Sequence, residues 1–218
     1  GADILWRTML NQNLQPNVVT YTTMIKGYCQ AHKMESAYEL IKSIPPSIGP
    51  NIRTVNTFLR GCVHTGDVAY AVVVFNTFRS RVVADSSTIE YVVYLLCQSL
   101  DVEAAKAVMD SVSHSSDTSL HAAGGTTALD NPAIYIALTT AYTFLGNRSQ
   151  AQHYLEIAEV KLRESASAAL RQNMSARAQA DNDVDNDRTG SITYFLKHRH
   201  EELTRQHTAL KEYLSGEL

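Results

Sequence analysis

The chain has 218 residues, 44% of them apolar, and a formal net charge of −3. That is enough for one domain or a modest repeat array with a sizeable core, and no apolar run approaches the roughly 18 residues of a membrane span. The near-neutral balance supplies no bulk attraction for nucleic acid and leaves room for a local basic groove.

Five alanines are each followed by apolar residues three, four and seven positions on. They begin Ala2-Leu5-Trp6-Met9, Ala37-Leu40-Ile41-Ile44, Ala71-Val74-Phe75-Phe78, Ala105-Val108-Met109-Val112 and Ala151-Tyr154-Leu155-Ala158. This is the stripe of an amphipathic helix. Intervals of 35, 34, 34 and 46 residues between the alanines make the chain a tandem array of one supersecondary unit. Residues 1–17 read as the second half of a truncated repeat, because Ala2 stands where the second helix of a hairpin starts; an upstream helix and a larger protein are expected.

Residues 18–112 read as three repeats. Val18–Asn51 and Ile52–Asp85 align without a gap, Met24-Ile25-Tyr28-Cys29 matching Phe58-Leu59-Cys62-Val63. Gly27 and Gly61 fall at equivalent places inside the first helices, where glycine costs about 1 kcal/mol relative to alanine. Their recurrence predicts close approach of a neighbouring helix. His32-Lys33 and Thr65-Gly66-Asp67 mark the hairpin turns, and Pro45-Pro46 and Pro50 stop the second helix of the first unit. The third unit keeps both stripes and carries Leu100 in place of the turn glycine.

Residues 113–131, rich in Ser, Thr, Gly and His, read as an inserted surface loop that accounts for the 46-residue interval. A degenerate fourth repeat follows at 132–163. A polar linker is expected at 164–190, its first half Ala-rich and able to prolong a helix, its second half an Asn/Asp tract. At 191–218 a C-terminal amphipathic helix is expected to cap the array or dock a partner protein. The fold class is therefore all-α: an α-solenoid of antiparallel helix-turn-helix repeats with a long C-terminal helix.

Motifs for bond chemistry are missing. His198, His200 and His207 lack a zinc-protease spacing, since Thr204 stands where the second histidine belongs, and they read as a solvated or weakly basic face. Asp181, Asp183, Asp185 and Asp187 mimic an EF-hand start without its glycine or closing glutamate. Cys29, Cys62 and Cys97 show no CxxC spacing and read as reduced core thiols. No nucleophile, metal or cofactor site is assigned, and the chain is not expected to be an enzyme in itself.

Tetratricopeptide repeats share the 34-residue period, but their Trp-x-x-Leu-Gly-x-x-Tyr hallmark does not occur in the first helices. The residues Pro16-Asn17-Val18-Val19-Thr20-Tyr21, Met24-Ile25-Lys26-Gly27-Tyr28-Cys29, Ala37-Tyr38-Glu39-Leu40 and Pro50-Asn51 instead resemble the pentatricopeptide repeat (PPR) family. The second unit matches through Thr54, Asn56-Thr57, Gly61, Gly66, Asp67, Ala71, Phe75 and Asp85. The resemblance is strong over 16–85, fair over 86–112 and 132–163, and absent from both polar insertions and the tail.

This resemblance implies single-stranded RNA as partner, one base read per repeat, in the mitochondrion or alternatively the plastid. The fifth residue of a unit and its last one would contact the base edge: Thr22 with Asn51, a pairing that favours adenine, and Asn56 with Asp85, which favours uracil. Val19 and Arg53, at second positions, would flank the first base, and Asn17 is a further RNA-binding candidate. Glu90 and Ile136 stand at the fifth positions of units three and four, and isoleucine cannot hydrogen-bond a base, so the two intact readers are the first and second units. The basic residue common near the end of the first helix is replaced by Gln30 and Gln98. Two alternatives stay open: a protein–protein scaffold in a larger complex such as a mitochondrial ribosome, or the repeat segment of a larger RNA-processing enzyme of the protein-only RNase P type.

Overall fold

In the computed structural model the described residues are 2–113, 128–180 and 187–216, and all regular structure among them is helical. The chain divides into two compact units, Gly1–His114 and Ser115–Leu218.

The first unit opens with α1 (Ala2–Asn11) and continues as three hairpins. These are α2 (Val18–Gln30) with α3 (Met34–Lys42), α4 (Ile52–Thr65) with α5 (Val68–Phe78), and α6 (Ser86–Gln98) with α7 (Val102–Ser113). The first helices begin 34 residues apart, so the period of the sequence is the period of the fold. Each packs on its own second helix and on the first helix of the next hairpin, α2 on α4 and α4 on α6, while α3 and α5 contact α4 and α6 in turn. Within this unit the result is a two-layer α-solenoid. Helix α1 meets it through Trp6, whose ring lies edge-on to Tyr21 at 5.4 Å.

The alanine stripe explains the packing. Ala37, Ala71 and Ala105 are 0% exposed, so each second helix turns a smooth face to its neighbours at the point where a longer side chain would hold the helices apart. Ile25, Phe58, Leu59, Val92 and Val93 fill the layer between. The three cysteines are free and buried, and burial pushes their thiols up: Cys29 to about 11, Cys97 to about 12, and Cys62 further still. Thiols so held stay protonated and act as small apolar groups.

The hairpin turns also repeat. His32, Gly66 and Leu100 hold φ of 56°, 77° and 60°. The left-handed backbone is thus demanded by the turn, and only the second unit supplies the residue that adopts it without strain.

One expectation needs correction. A Cβ built on Gly61 would stand 2.4 Å from the Cys29 Sγ and 2.7 Å from its Cβ, whereas one on Gly27 would meet nothing within 4 Å. Close approach is real at Gly61, where α4 presses on α2, and absent at Gly27, whose equivalent neighbour is not among the described residues.

The second unit holds a 3-10 turn (Ala128–Asp130), α8 (Pro132–Phe144), α9 (Arg148–Ala180) and α10 (Asp187–Ser215), with α8 packed on α9 and α10 on both. Ala151 is 0% exposed, like its counterparts in the first unit. Lys161 ties the 3-10 turn down with a 2.8 Å bond to Asp130, Tyr142 stacks on Tyr154 at 5.6 Å, and the Arg148 guanidinium donates to the Leu214 carbonyl.

The linker read at 164–190 is corrected as well. Helix α9 continues through it to Ala180, and α10 starts at Asp187, ahead of Ser191. No glycine or proline interrupts 148–189, and the alanines there are strong helix formers. Most of the expected surface loop (114–127) and of the Asn/Asp tract (181–186) lies outside the described residues. So do the side chains of Ile192 and Leu196.

Candidate nucleic-acid interface

The first helices of the first unit start in the same way. Asn17, Asn51 and Asp85 are the N-caps of α2, α4 and α6, each side chain accepting from the backbone N–H three residues on. That residue is threonine every time: Thr20 at 2.9 Å, Thr54 at 3.0 Å and Thr88 at 2.8 Å. Such a cap contributes about 1 kcal/mol to its helix. It also places an amide or carboxylate oxygen, exposed in all three cases, at a helix start.

Thr54 and Thr88 are 0% and 2% exposed, and they link that cap to the preceding repeat. Thr22 of α2 lies 2.7 Å from the Thr54 hydroxyl, which also reaches Asn51 Oδ1 at 3.0 Å. One repeat later Thr88 donates to Asn56 Oδ1 at 2.7 Å, and the Asn56 amide donates to both Asp85 oxygens at 3.0 Å. The paired positions read from sequence are therefore brought together twice, in equivalent clusters of three side chains.

The two clusters differ in what they offer. In the first, two hydroxyl protons serve three short contacts, because Thr22 also reaches the Val18 carbonyl at 2.7 Å. The relay can run from Thr22 to Asn51 or from Thr54 to Val18. Both hydroxyl protons stay within the cluster either way, so it is the Asn51 amide, which carries NH2 beside Oδ1, that lets the cluster donate as well as accept. In the second, the direction is set: a carboxylate only accepts, so the Asn56 NH2 faces Asp85 and its carbonyl faces Thr88. This cluster is anionic and accepting.

Val19, 66% exposed, and the exposed Arg53 project from the first turns of α2 and α4, beside the caps. At the remaining fifth positions, Glu90 is half-buried, while Ile136 is 4% exposed and belongs to the core of the second unit. The sequence reading missed the threonines. Their signal is visible in retrospect as Asn/Asp-x-x-Thr recurring at 17, 51 and 85.

Among the described residues no three His, Cys, Asp or Glu side chains could hold a metal ion, and no helix is long and apolar enough to cross a membrane.

Residues 12–44 match the family model described as PPR repeat. A chloroplastic pentatricopeptide repeat-containing protein of Arabidopsis thaliana is 30% identical over 78 residues, which is 35% of this chain and 10% of that relative. The crystal structure of the pentatricopeptide repeat protein PPR10 from maize aligns with a TM-score of 0.56 over 93% of this chain and 28% of that one, at 16% identity. The chain thus spans a small part of either protein, and the maize structure speaks to the fold alone. Period and family model point the same way: residues 12–44 match a pentatricopeptide repeat, and the hairpins that follow keep its 34-residue spacing.

Proposed function

We propose that the chain binds single-stranded RNA through its first unit, reading one base at each of the two clusters. The observation that carries this reading is the duplicated cluster itself, in which the fifth residue of one repeat is tied to the cap of the next, Thr22 through the buried Thr54 and Asn56 both directly and through Thr88. A cluster that donates and accepts suits an edge such as that of adenine, Thr22 and Asn51 together matching one donor and one acceptor. The accepting Asp85 carboxylate suits a base that offers an N–H, as uracil does, with Asn56 supplying the amide. Arg53 and Val19 are free to flank the bases. The role is organellar RNA metabolism by binding, without bond chemistry in these residues. The chloroplastic relative favours the plastid over the mitochondrion. Helix α10, which buries His207 and Leu214 in the second unit, serves as the cap of that unit.

Stacking contributes about 1–3 kcal/mol per base, so two readers supply roughly 2–6 kcal/mol. A micromolar complex needs about 8 kcal/mol, so the chain alone binds weakly and works alongside further repeats or partners. Titration with a short single-stranded RNA holding one A-U step, repeated with Asn56→Ser, tests the reading. Weak binding at low salt with a preference for uracil over cytosine that the variant loses is expected. Binding without any such preference in the unaltered chain would overturn it.

A further inference from the structure

Beside the clusters, α2 and α4 flank an open groove of about 430 Å³, lined by Lys26, Gln30 and His32 on one side and Thr57, Arg60 and His64 on the other. No carboxylate lines it. Lys26 and Arg60 are exposed, and among the described residues neither makes an ion pair. They stand 34 residues apart, at the same place in consecutive repeats.

Their register against the readers is fixed by the helix. Lys26 follows Thr22 by four residues and Arg60 follows Asn56 by four, so each cation shares a face with a reader about 6 Å further along the axis. A ribose spans such a gap. In the third unit the pattern ends: Tyr94 takes the equivalent place, its hydroxyl accepting from Gln98 at 2.8 Å, and Glu90 precedes it by one turn. Cations therefore stand one turn beyond Thr22 and Asn56, in the two units that carry the threonine-bridged clusters.

We infer that the Lys26–Arg60 groove holds the phosphodiester backbone of the bound strand, the phosphates lying one helical turn from the bases read at Thr22 and Asn56. This rests on the RNA reading and adds residues to it. Arg60 offers a fork of donors matched to phosphate oxygens, Lys26 a point charge, and the His32 and His64 rings further N–H donors. The charge lost near the helix end at Gln30 is recovered one turn earlier.

Two probes separate this inference from base reading. The first is an abasic sugar-phosphate oligomer, which carries phosphates and no bases; the second is the RNA with the A-U step. Both are titrated against the full chain from 20 to 200 mM KCl. The unaltered protein is expected to bind the abasic oligomer at low salt. Lys26→Gln and Arg60→Gln should each lower the salt slope of either probe by about 0.7, so that over this tenfold range the salt-induced loss of affinity shrinks roughly fivefold per variant. Uracil preference should be unchanged. Circular dichroism should be unchanged too, since both side chains are exposed. Slopes that neither variant alters, or failure of the abasic oligomer to bind while the RNA binds, would sink the groove and leave base reading standing. A variant-sensitive abasic complex alongside RNA binding without base preference would support the groove and overturn the readers.

Discussion

Helices α4 and α8 begin alike and present different chemistry. Each follows an asparagine N-cap, Asn51 or Asn131, and each packs a following helix against its apolar stripe. At the fifth position α4 carries Asn56, bonded to Asp85 and Thr88 of the next hairpin. Helix α8 carries Ile136 there, 4% exposed. The caps differ in the same sense: Asn51 engages a threonine three residues on, whereas Asn131 accepts from Ala133 and the third residue is the buried Ile134. The hairpin therefore folds with either a polar or an apolar fifth residue. Polarity at that position is a feature of the surface, held by the Asx-x-x-Thr cap beyond it, and is dispensable for packing.

The most severe break of this contrast is Ile136→Asn. It removes a buried aliphatic side chain and leaves an amide without a partner, costing on the order of 3–5 kcal/mol. The reverse change, Asn56→Ile, forfeits surface hydrogen bonds worth about 1 kcal/mol net. Urea midpoints compare the two, and equal costs would mean that the fifth position plays one structural role in both units. Next in size is the glycine pair. Gly61→Ala forces a methyl into Cys29 and should cost about 1–3 kcal/mol. Gly27→Ala fills open space and should stabilise by about 0.5–1 kcal/mol. Opposite signs are the expected result.

That glycine pair marks how far the sequence could be read. The 34-residue period, the stripes and the hairpin pairing were all legible, because burial imposes helical periodicity on apolar residues and Ala37, Ala71, Ala105 and Ala151 obey it. That Thr22 belongs with Asn51 and Asn56 with Asp85 was legible too, through the family resemblance, and the structure joins each pair by hydrogen bonds. A glycine's neighbour, however, is a matter of three dimensions, and identical residues at 27 and 61 meet different surroundings. The extension of α9 to Ala180 was half visible in its alanines, which composition alone could not separate from a linker. The threonine bridges escaped because a threonine near a helix start reads as an ordinary cap partner. Only the structure shows Thr54 and Thr88 reaching back to the preceding repeat.

Leu100 sharpens the comparison among turns. It holds φ of 60° where Gly66 holds 77°, a conformation that costs a non-glycine residue about 1–2 kcal/mol. Its side chain is 42% exposed, so little packing is lost on removal. Leu100→Gly should stabilise the first unit by about 1 kcal/mol after the entropy of the more flexible unfolded chain is deducted, seen as a higher thermal midpoint. A lower midpoint would mean that the leucine packs more than its exposure implies.

The smallest effect separates the units by acid. His207 is 7% exposed, and among the described residues its Nε2 has no hydrogen-bond partner. Burial outweighs the attraction of Glu159 and the bond to the Leu155 backbone, and lowers the ring below its usual value of 6.5. Because the unfolded chain takes up this proton more readily than the folded one, the stability gained by keeping the ring neutral is complete above about pH 6.5. It declines as pH falls toward the lower folded value, where the ring itself is protonated in place. Amide exchange in α10, corrected for intrinsic rates, should therefore quicken between pH 7 and 5.5, while α2 and α4 of the first unit hold their protection. His207→Leu should abolish the dependence. Protection in α10 that rises as pH falls would mean that the folded ring holds its proton more tightly, with Glu159 outweighing burial, and protection that ignores pH would mean that the two offset each other.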